Sequence, residues 1–291
     1  MRHRGWLQRS ILLVGLLAGC DHEAPPPVKF VQPNGEGYAY KVDFARLEHE
    51  FPLTRPDLMT ITPDNLQAAT QEQVDQIYAR LTAGSIPDGS YDGQILLRRG
   101  SSGRVRAAEI VGGFKGRLVN FKSAKLEKLG EIVWEGKVFY RDQRVLRNRI
   151  NDLAVLRPLL GDDVACIPIL EIDEKDTWLL FPAKLYCGHS LLDGRRESII
   201  IDYAFSDDIP GYRAEPDELA GRDGLKIRDE IRMIRPGFYL GRAYMNRTFI
   251  LNFTLYNRAV AEKEEAAFTA SGEVQEDCEI GSQRMTAMNK L

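Results

Sequence analysis

The sequence predicts a mainly β fold: an antiparallel sheet that closes, or nearly closes, into a barrel with a few flanking helices. Between Pro87 and Tyr256, short segments rich in β-branched and aromatic residues recur between turn signals. There are about ten such segments, joined by short turns, and a closed antiparallel sheet is the economical way to bury them. Few stretches carry a helical period, and there is no internal repeat.

Residues 28–61 are mixed, with Asn34-Gly35 and Gly37 as turn signals and Pro52 and Pro56 as breaks. Thr62-Pro63 reads as an N-cap followed by proline at the first helical position, opening a helix to about Leu81 that stops at Gly84. Leu66, Val74, Ile77 and Leu81 lie near one face of it, and Gln, Asp and Glu crowd the other. Strands are expected over Gly89–Leu97, Val105–Phe114, Lys115–Phe121, Glu131–Tyr140, Ala165–Ile172, Thr177–Tyr186 and Glu197–Phe205. Arg144–Leu160 interrupts them with Leu146, Ile150, Leu153, Leu156 and Leu160 at helical spacing, kinked or ended by Pro158. A second interruption is the short segment Pro216–Ala220, closed by Gly221. Three more strands, Ile227–Ile234, Phe238–Met245 and Thr248–Tyr256, precede a charged helix from Ala259 to Phe268. The polar stretch 269–291 reads as a disordered tail.

The N-terminus carries Arg2, Arg4 and Arg9, no acidic residue, and then an apolar run from Ile11 to Leu17. That run is shorter than the ~20 apolar residues that span a bilayer and has the form of an export signal. Leu17-Ala18-Gly19-Cys20 resembles the lipobox of bacterial lipoproteins. The resemblance implies cleavage after residue 19 and acylation of Cys20, by chains such as palmitate, as a membrane anchor. Asp21–Pro27 is polar with three consecutive prolines, an extended tether. The organisation is therefore a signal over 1–19, a lipidated N-terminus and tether over 20–37, and one β-rich domain over 38–268 with its barrel core at about 87–256. The expected compartment is the bacterial cell envelope. Asp21 resembles the residue that retains lipoproteins in the inner membrane, so the inner membrane facing the periplasm is favoured over the outer.

Removing the first 19 residues takes away three basic residues and no acidic one, leaving 36 basic against 42 acidic and a net charge of −6. This argues against nucleic acid as a partner. Protein partners are not legible. No Cys or His pair has ligand spacing, so no metal or other cofactor is expected. Export permits a disulfide among Cys166, Cys187 and Cys278. Cys166 with Cys187 is the favoured pair, on strands flanking the Asp173–Asp176 turn. The turn's own register leaves them out of line, so the bridge needs a bulge. Gly188-His189-Ser190 sits in a turn without a nucleophile elbow, and Asp207-Asp208 begins another turn. No catalytic residue is assigned.

Two motifs resemble the calycin-like, lipocalin-type families named for Gly-X-Trp-X-Gly. One is Gly89-Ser90-Tyr91-Asp92-Gly93; the other is Trp134-Glu135-Gly136-Lys137-Val138-Phe139, followed by Asn148-Arg149-Ile150. Asp229–Gly241, ending in a Leu-Gly pair, is similar to the family's closing stretch. The likeness covers roughly residues 81–256 with gaps, and Tyr91 stands where the name-giving tryptophan belongs. It implies a barrel that binds small apolar molecules, although many members have no assigned function. Tyr91 is read as a plug at a barrel end, Trp134 as core, and both as ligand contacts in the alternative. Lys137 is read as solvent-facing, with a ligand contact as the alternative.

The last three strands hold a charged cluster. A two-residue turn at Asn246-Arg247 sets Tyr244 and Arg242 on the apolar face of Phe249, Leu251, Phe253 and Leu255. A three-residue turn at Arg235-Pro236-Gly237 sets Glu230 opposite Arg242 and Arg232 beside Leu240. Glu230 and Arg242 then form an internal ion pair, and Arg232 is free for an anionic head group. A two-residue turn flips those faces, with Ile231 and Met233 inward and Arg242 left alone. Arg242 snorkelling through the rim is the bland alternative. The leading functional expectation is a membrane-anchored lipoprotein binding a small hydrophobic or lipid-like ligand. An envelope scaffold, or a metal-independent enzyme using charged residues inside the barrel, are the alternatives.

Overall fold

The computed structural model describes residues 24–32, 35, 41–96, 134–153, 167, 169–172 and 174–278. The expected strands at 105–114 and 115–121, the lipobox with Cys20, and Cys166 lie outside them.

Among the described residues nine strands form one sheet: β1 (Gly89–Leu96), β2 (Trp134–Tyr140), β3 (Val145–Ile150), β4 (Ile169–Ile172), β5 (Lys175–His189), β6 (Glu197–Asp202), β7 (Ile227–Arg235), β8 (Phe238–Met245) and β9 (Thr248–Tyr256). Their order is β3-β2-β1-β9-β8-β7-β6-β5-β4, and β3 also pairs with β5. That last pairing closes eight strands into an antiparallel, calycin-like barrel. β4 rides outside the ring on the first residues of β5, Lys175 to Trp178. Closure removes the open edges that an exposed sheet would present.

β3 corrects the expected Arg144–Leu160 helix. Leu146 and Ile150 fit a period of two as well as one near four, and Asn148 falls between them on the same face. The chain leaves β2 through a tight turn at Arg141–Gln143 and a left-handed Arg144 with φ 56°, then pairs back, Tyr140 with Val145. The pairing turns the stretch into a strand as far as Ile150.

The single helix expected from Pro63 is also corrected. After α1 (Phe44–Glu50) and α2 (Arg55–Thr60), two short helices take its place, α3 (Pro63–Ala68) and α4 (Gln71–Arg80). Ala69 is extended, and Thr70 starts α4 by a reciprocal cap with Gln73. Thr62 with Asn65 caps α3 in the same way. Leu66, Val74, Ile77 and Tyr78 then pack with Leu96, Ile234, Phe238 and Leu240 on the outer face of the sheet.

A second core fills the barrel, built from Phe139, Leu185, Ile199, Ile201, Ile231, Tyr239, Phe253 and Leu255 among others. Tyr91 belongs to it, meeting Phe139 and Tyr239 edge-on at centroid distances of 5.5 and 5.7 Å. It is 2% exposed there. After β9 come α6 (Arg258–Ser271) and a docked segment; α5 is the short Ala214–Asp217.

Residues 273–278 therefore depart from the expected tail. The Glu276 carboxylate accepts from the Thr82 hydroxyl and from the Gly84 N–H at 2.7 Å, and Asp277 accepts from the Ile86 N–H at 2.8 Å. Cys278 is disulfide-bonded to Cys187, which corrects the Cys166–Cys187 pairing. The reason is position along β5: β4 pairs only with Lys175–Trp178, whereas Cys187 lies at the far end, where the C-terminal segment returns. The bridge spans a sequence separation of 91 residues, and closing a loop of about that length contributes on the order of 4–5 kcal/mol in the chain-entropy account.

Candidate functional site

Three irregularities in the strands decide which side chains enter the barrel. In β2 the register shifts between Trp134 and Gly136. Trp134 and Lys137 would point to opposite faces of a regular strand; the shift brings both inward. Gly136, at φ 140°, takes the strain, since a Cβ there would lie 2.0 Å from the Tyr91 carbonyl oxygen. Gly93 leaves room for the indole, because its Cβ would fall 2.4 Å from the Trp134 ring. This is the physical role of two glycines in the family-like motifs.

In the second irregularity, β5 bulges opposite β3, between the pairs Leu146–Ala183 and Asn148–Leu180. Phe181 sits there with φ 50°, its N–H donating to Asp217 of α5 at 2.7 Å. Its carbonyl is freed to accept from Asn148 Nδ2 at 3.0 Å. The third irregularity separates the pairs Ala243–Leu251 and Tyr244–Phe249 between β8 and β9. It places Arg242 beside Asn252 rather than Leu251, on the outer face of the barrel.

Inside, these devices assemble Trp134, Lys137, Asn148, Tyr203 and Asp229. The Lys137 ammonium donates to Asn148 Oδ1 at 2.8 Å, to the Tyr203 hydroxyl at 2.7 Å and to Asp229 Oδ2 at 3.0 Å. It also lies 5.5 Å from the ring centroids of Trp134, Tyr203 and Phe253. Gly241 makes room for Phe253 in that wall, as a Cβ there would come within 2.2 Å of its ring. Trp134 Nε1 donates to Asn148 Oδ1 at 3.0 Å, Asn148 Nδ2 also donates to Tyr203 at 3.1 Å, and Tyr203 donates to Asp229 Oδ2 at 3.1 Å.

The inventory of donors and acceptors is closed but for one atom. All three ammonium protons, both amide protons, both lone pairs of Asn148 Oδ1 and the phenol are engaged. Asp229 Oδ1 is buried and has no protein partner. Burial pushes the Lys137 amine below the ordinary lysine value while Asp229 pulls the other way, and burial raises the Tyr203 phenol. Lys137 is 2 % exposed, so its reading as solvent-facing is corrected.

The cluster expected from the last three strands is partly assembled. Glu230 does stand opposite Arg242 and Arg232 opposite Leu240, reached through a register shift between Met233 and Arg235 rather than a wider turn. All three side chains face outward, under the helices. No Glu230–Arg242 ion pair forms. Arg242 pairs with Asp75 of α4 and donates to the Tyr244 hydroxyl at 2.9 Å. Burial works against the Arg242 charge, but Asp75 and Tyr244 hold its pKa above the ordinary arginine value. Glu230 accepts from the Leu191 N–H at 2.8 Å and pairs with Arg228 at 2.9 Å. Arg232, expected to be free, is fully buried and donates to the carbonyls of Tyr78, Glu197, Asp193 and Arg196 and to Ser198. It braces main chain and offers nothing to a head group.

Of the expected ligand contacts, the geometry therefore keeps Trp134 in the polar cluster, puts Tyr91 in the apolar base, and sets Glu230, Arg232, Arg242 and Tyr244 in the outer layer. Asp229, Asn148 and Tyr203 were not singled out, although the first two lie within the family-like stretches. Among the described residues no group of His, Cys, Asp and Glu is placed to hold a metal ion. Among them, too, no helix is long and apolar enough to cross a membrane.

No family model and no curated protein matches the chain. A solved structure, described as the crystal structure of a protein from Thermomonospora curvata, is similar at 16% identity and a TM-score of 0.34, covering 65% of this chain and 88% of that one.

Proposed function

We propose that the protein is a membrane-anchored cell-envelope lipoprotein whose barrel binds a small hydrophobic or lipid-like ligand. The observation that carries the reading is the polar cluster inside the barrel. Burying an ammonium and a carboxylate among aromatic rings costs stability that an all-apolar filling would not, and a fold gains little from it. A ligand site has a use for it: mostly apolar walls with a few fixed polar atoms are how such cavities orient small molecules. The anchor rests on the export signal and on the Leu17–Cys20 sequence.

The test uses the full chain extracted from membranes in mild detergent. Intact-mass measurement should give a protein lacking residues 1–19 with added acyl mass on Cys20. Native mass spectrometry should retain a small apolar molecule that organic extraction removes. A chain of unprocessed mass contradicts the anchor, and a chain empty in every preparation contradicts the binding reading.

A further inference from the structure

We propose that the barrel site selects ligands whose polar end is a hydrogen-bond donor, a hydroxyl or N–H, and rejects anionic head groups. This rests on the ligand-binding reading above and specifies the chemistry of the same site. The argument is the closed inventory around Lys137. An anion needs donors, and every donor of the cluster is already committed: the Lys137 ammonium to three oxygens, Asn148 Nδ2 to two, Trp134 Nε1 and the Tyr203 hydroxyl to one each. What is left over is an acceptor, Asp229 Oδ1. A carboxylate head group brought there would meet a carboxylate oxygen. A hydroxyl would complete the cluster.

Glu230 Oε2 is also buried without a partner, but it belongs to the outer face. It lies beneath the chain at Leu191, whose N–H it binds through its other oxygen, with Tyr78 of α4 close by. Asp229 instead shares the barrel interior with Trp134, which is only partly buried, and with the aromatic wall of Tyr203 and Phe253. Tyr203, Asp229 and Phe253 are 3–4% exposed, so an apolar chain that brings its donor to Asp229 has to part this wall. Two surface cavities of about 270 and 260 Å³ lie elsewhere, one lined by Arg141 and Phe268, the other by Arg147 and Leu179.

The full chain carrying Cys20→Ala, which removes the proposed acyl anchor, is purified without detergent and titrated calorimetrically with 1-dodecanol, methyl dodecanoate and dodecanoate at pH 8. The three share an apolar chain and differ in the head: a donor, acceptors only, and an anion. Leaving a buried oxygen unpaired is expected to weaken the ester by about tenfold or more relative to the alcohol, and the anion by at least as much. In the Lys137→Met/Asp229→Leu variant, which removes both charges together, alcohol and ester should bind alike. Should that variant fail to fold, the ratio in the unsubstituted site still decides. An ester as tight as the alcohol, or an anion tighter than both, overturns the donor inference and leaves the binding reading standing. If none of the three probes binds, both fall.

Discussion

The barrel wall separates two buried charged clusters that differ in what they hold. On the outer face, Arg232 and Arg242 are anchored to backbone carbonyls and to Asp75 of a helix, so their charges stitch α4 and the 190–196 segment onto the sheet. On the inner face, Lys137 of β2 and Asp229 of β7 meet across the barrel interior, joined by Asn148 of β3 and by Tyr203 just after β6, and one carboxylate oxygen is left over. The outer cluster ties elements together. The inner one links opposite walls of the barrel through side chains alone and keeps an open valence. Buried charge that holds the main chain of a helix and a loop reads as architecture, and buried charge enclosed by aromatic walls reads as a site.

Substitutions can break or sharpen this contrast. Arg232→Ala should have the largest effect, about 3–5 kcal/mol of stability in urea unfolding, because four carbonyls and Ser198 lose a buried partner at once. A loss below about 1 kcal/mol, the scale of a surface ion pair, would mean the outer cluster is not a brace. Lys137→Met should cost about 3 kcal/mol by stranding the Asp229 charge, whereas Lys137→Met/Asp229→Leu should recover most of it. If the double variant is as unstable as the single, the inner pair is structural after all. Gly93→Ala should cost about 1–3 kcal/mol by pushing its methyl into the indole, with a visible change in tryptophan fluorescence.

The smallest effect is on pH. Glu48 of α1 bonds Arg195 and Arg196, in the segment whose carbonyls hold Arg232. Its partial burial favours the protonated form, but the two arginines outweigh this and lower its pKa below the ordinary 4.5. A depressed carboxylate adds stability that is complete above the unfolded value and fades as pH falls through the folded one. Acid titration below about pH 4.5 should therefore loosen the outer layer, and Glu48→Gln should flatten that dependence.

Much of the fold was legible because alternation is. The strands at 227–235, 238–245 and 248–256 and the closed sheet follow from turn signals and a period of two. The Glu230–Arg242 and Arg232–Leu240 juxtapositions instead come from a two-residue turn and a bulge between Met233 and Arg235, in place of the expected three-residue turn. What a period cannot register is a bulge. One extra residue near Glu135 turned Lys137 inward, and one at Ile250 turned Arg242 outward, so the two residues exchanged their expected faces. The Gly93 and Gly136 flanks that accommodate Trp134 were visible, but not their consequence for Lys137. The Arg144–Leu160 stretch misled because Leu146 and Ile150 satisfy both helix and strand spacing. The helix break at Ala69 was written in Thr70-Gln71-Glu72-Gln73, a capping box inside a longer apolar pattern. The Cys187–Cys278 bridge depends on the C-terminal segment returning to the barrel, which no local pattern encodes.

The most direct measurement of the central claim is a crystal structure of the protein with 1-dodecanol bound. The account predicts the alkyl chain along Trp134 and Phe253 with its hydroxyl oxygen about 2.5–3.0 Å from Asp229 Oδ1 and the three Lys137 bonds intact. An alcohol bound outside the barrel, or one whose hydroxyl accepts from a displaced Lys137 while Asp229 Oδ1 finds a donor in the protein, would contradict it.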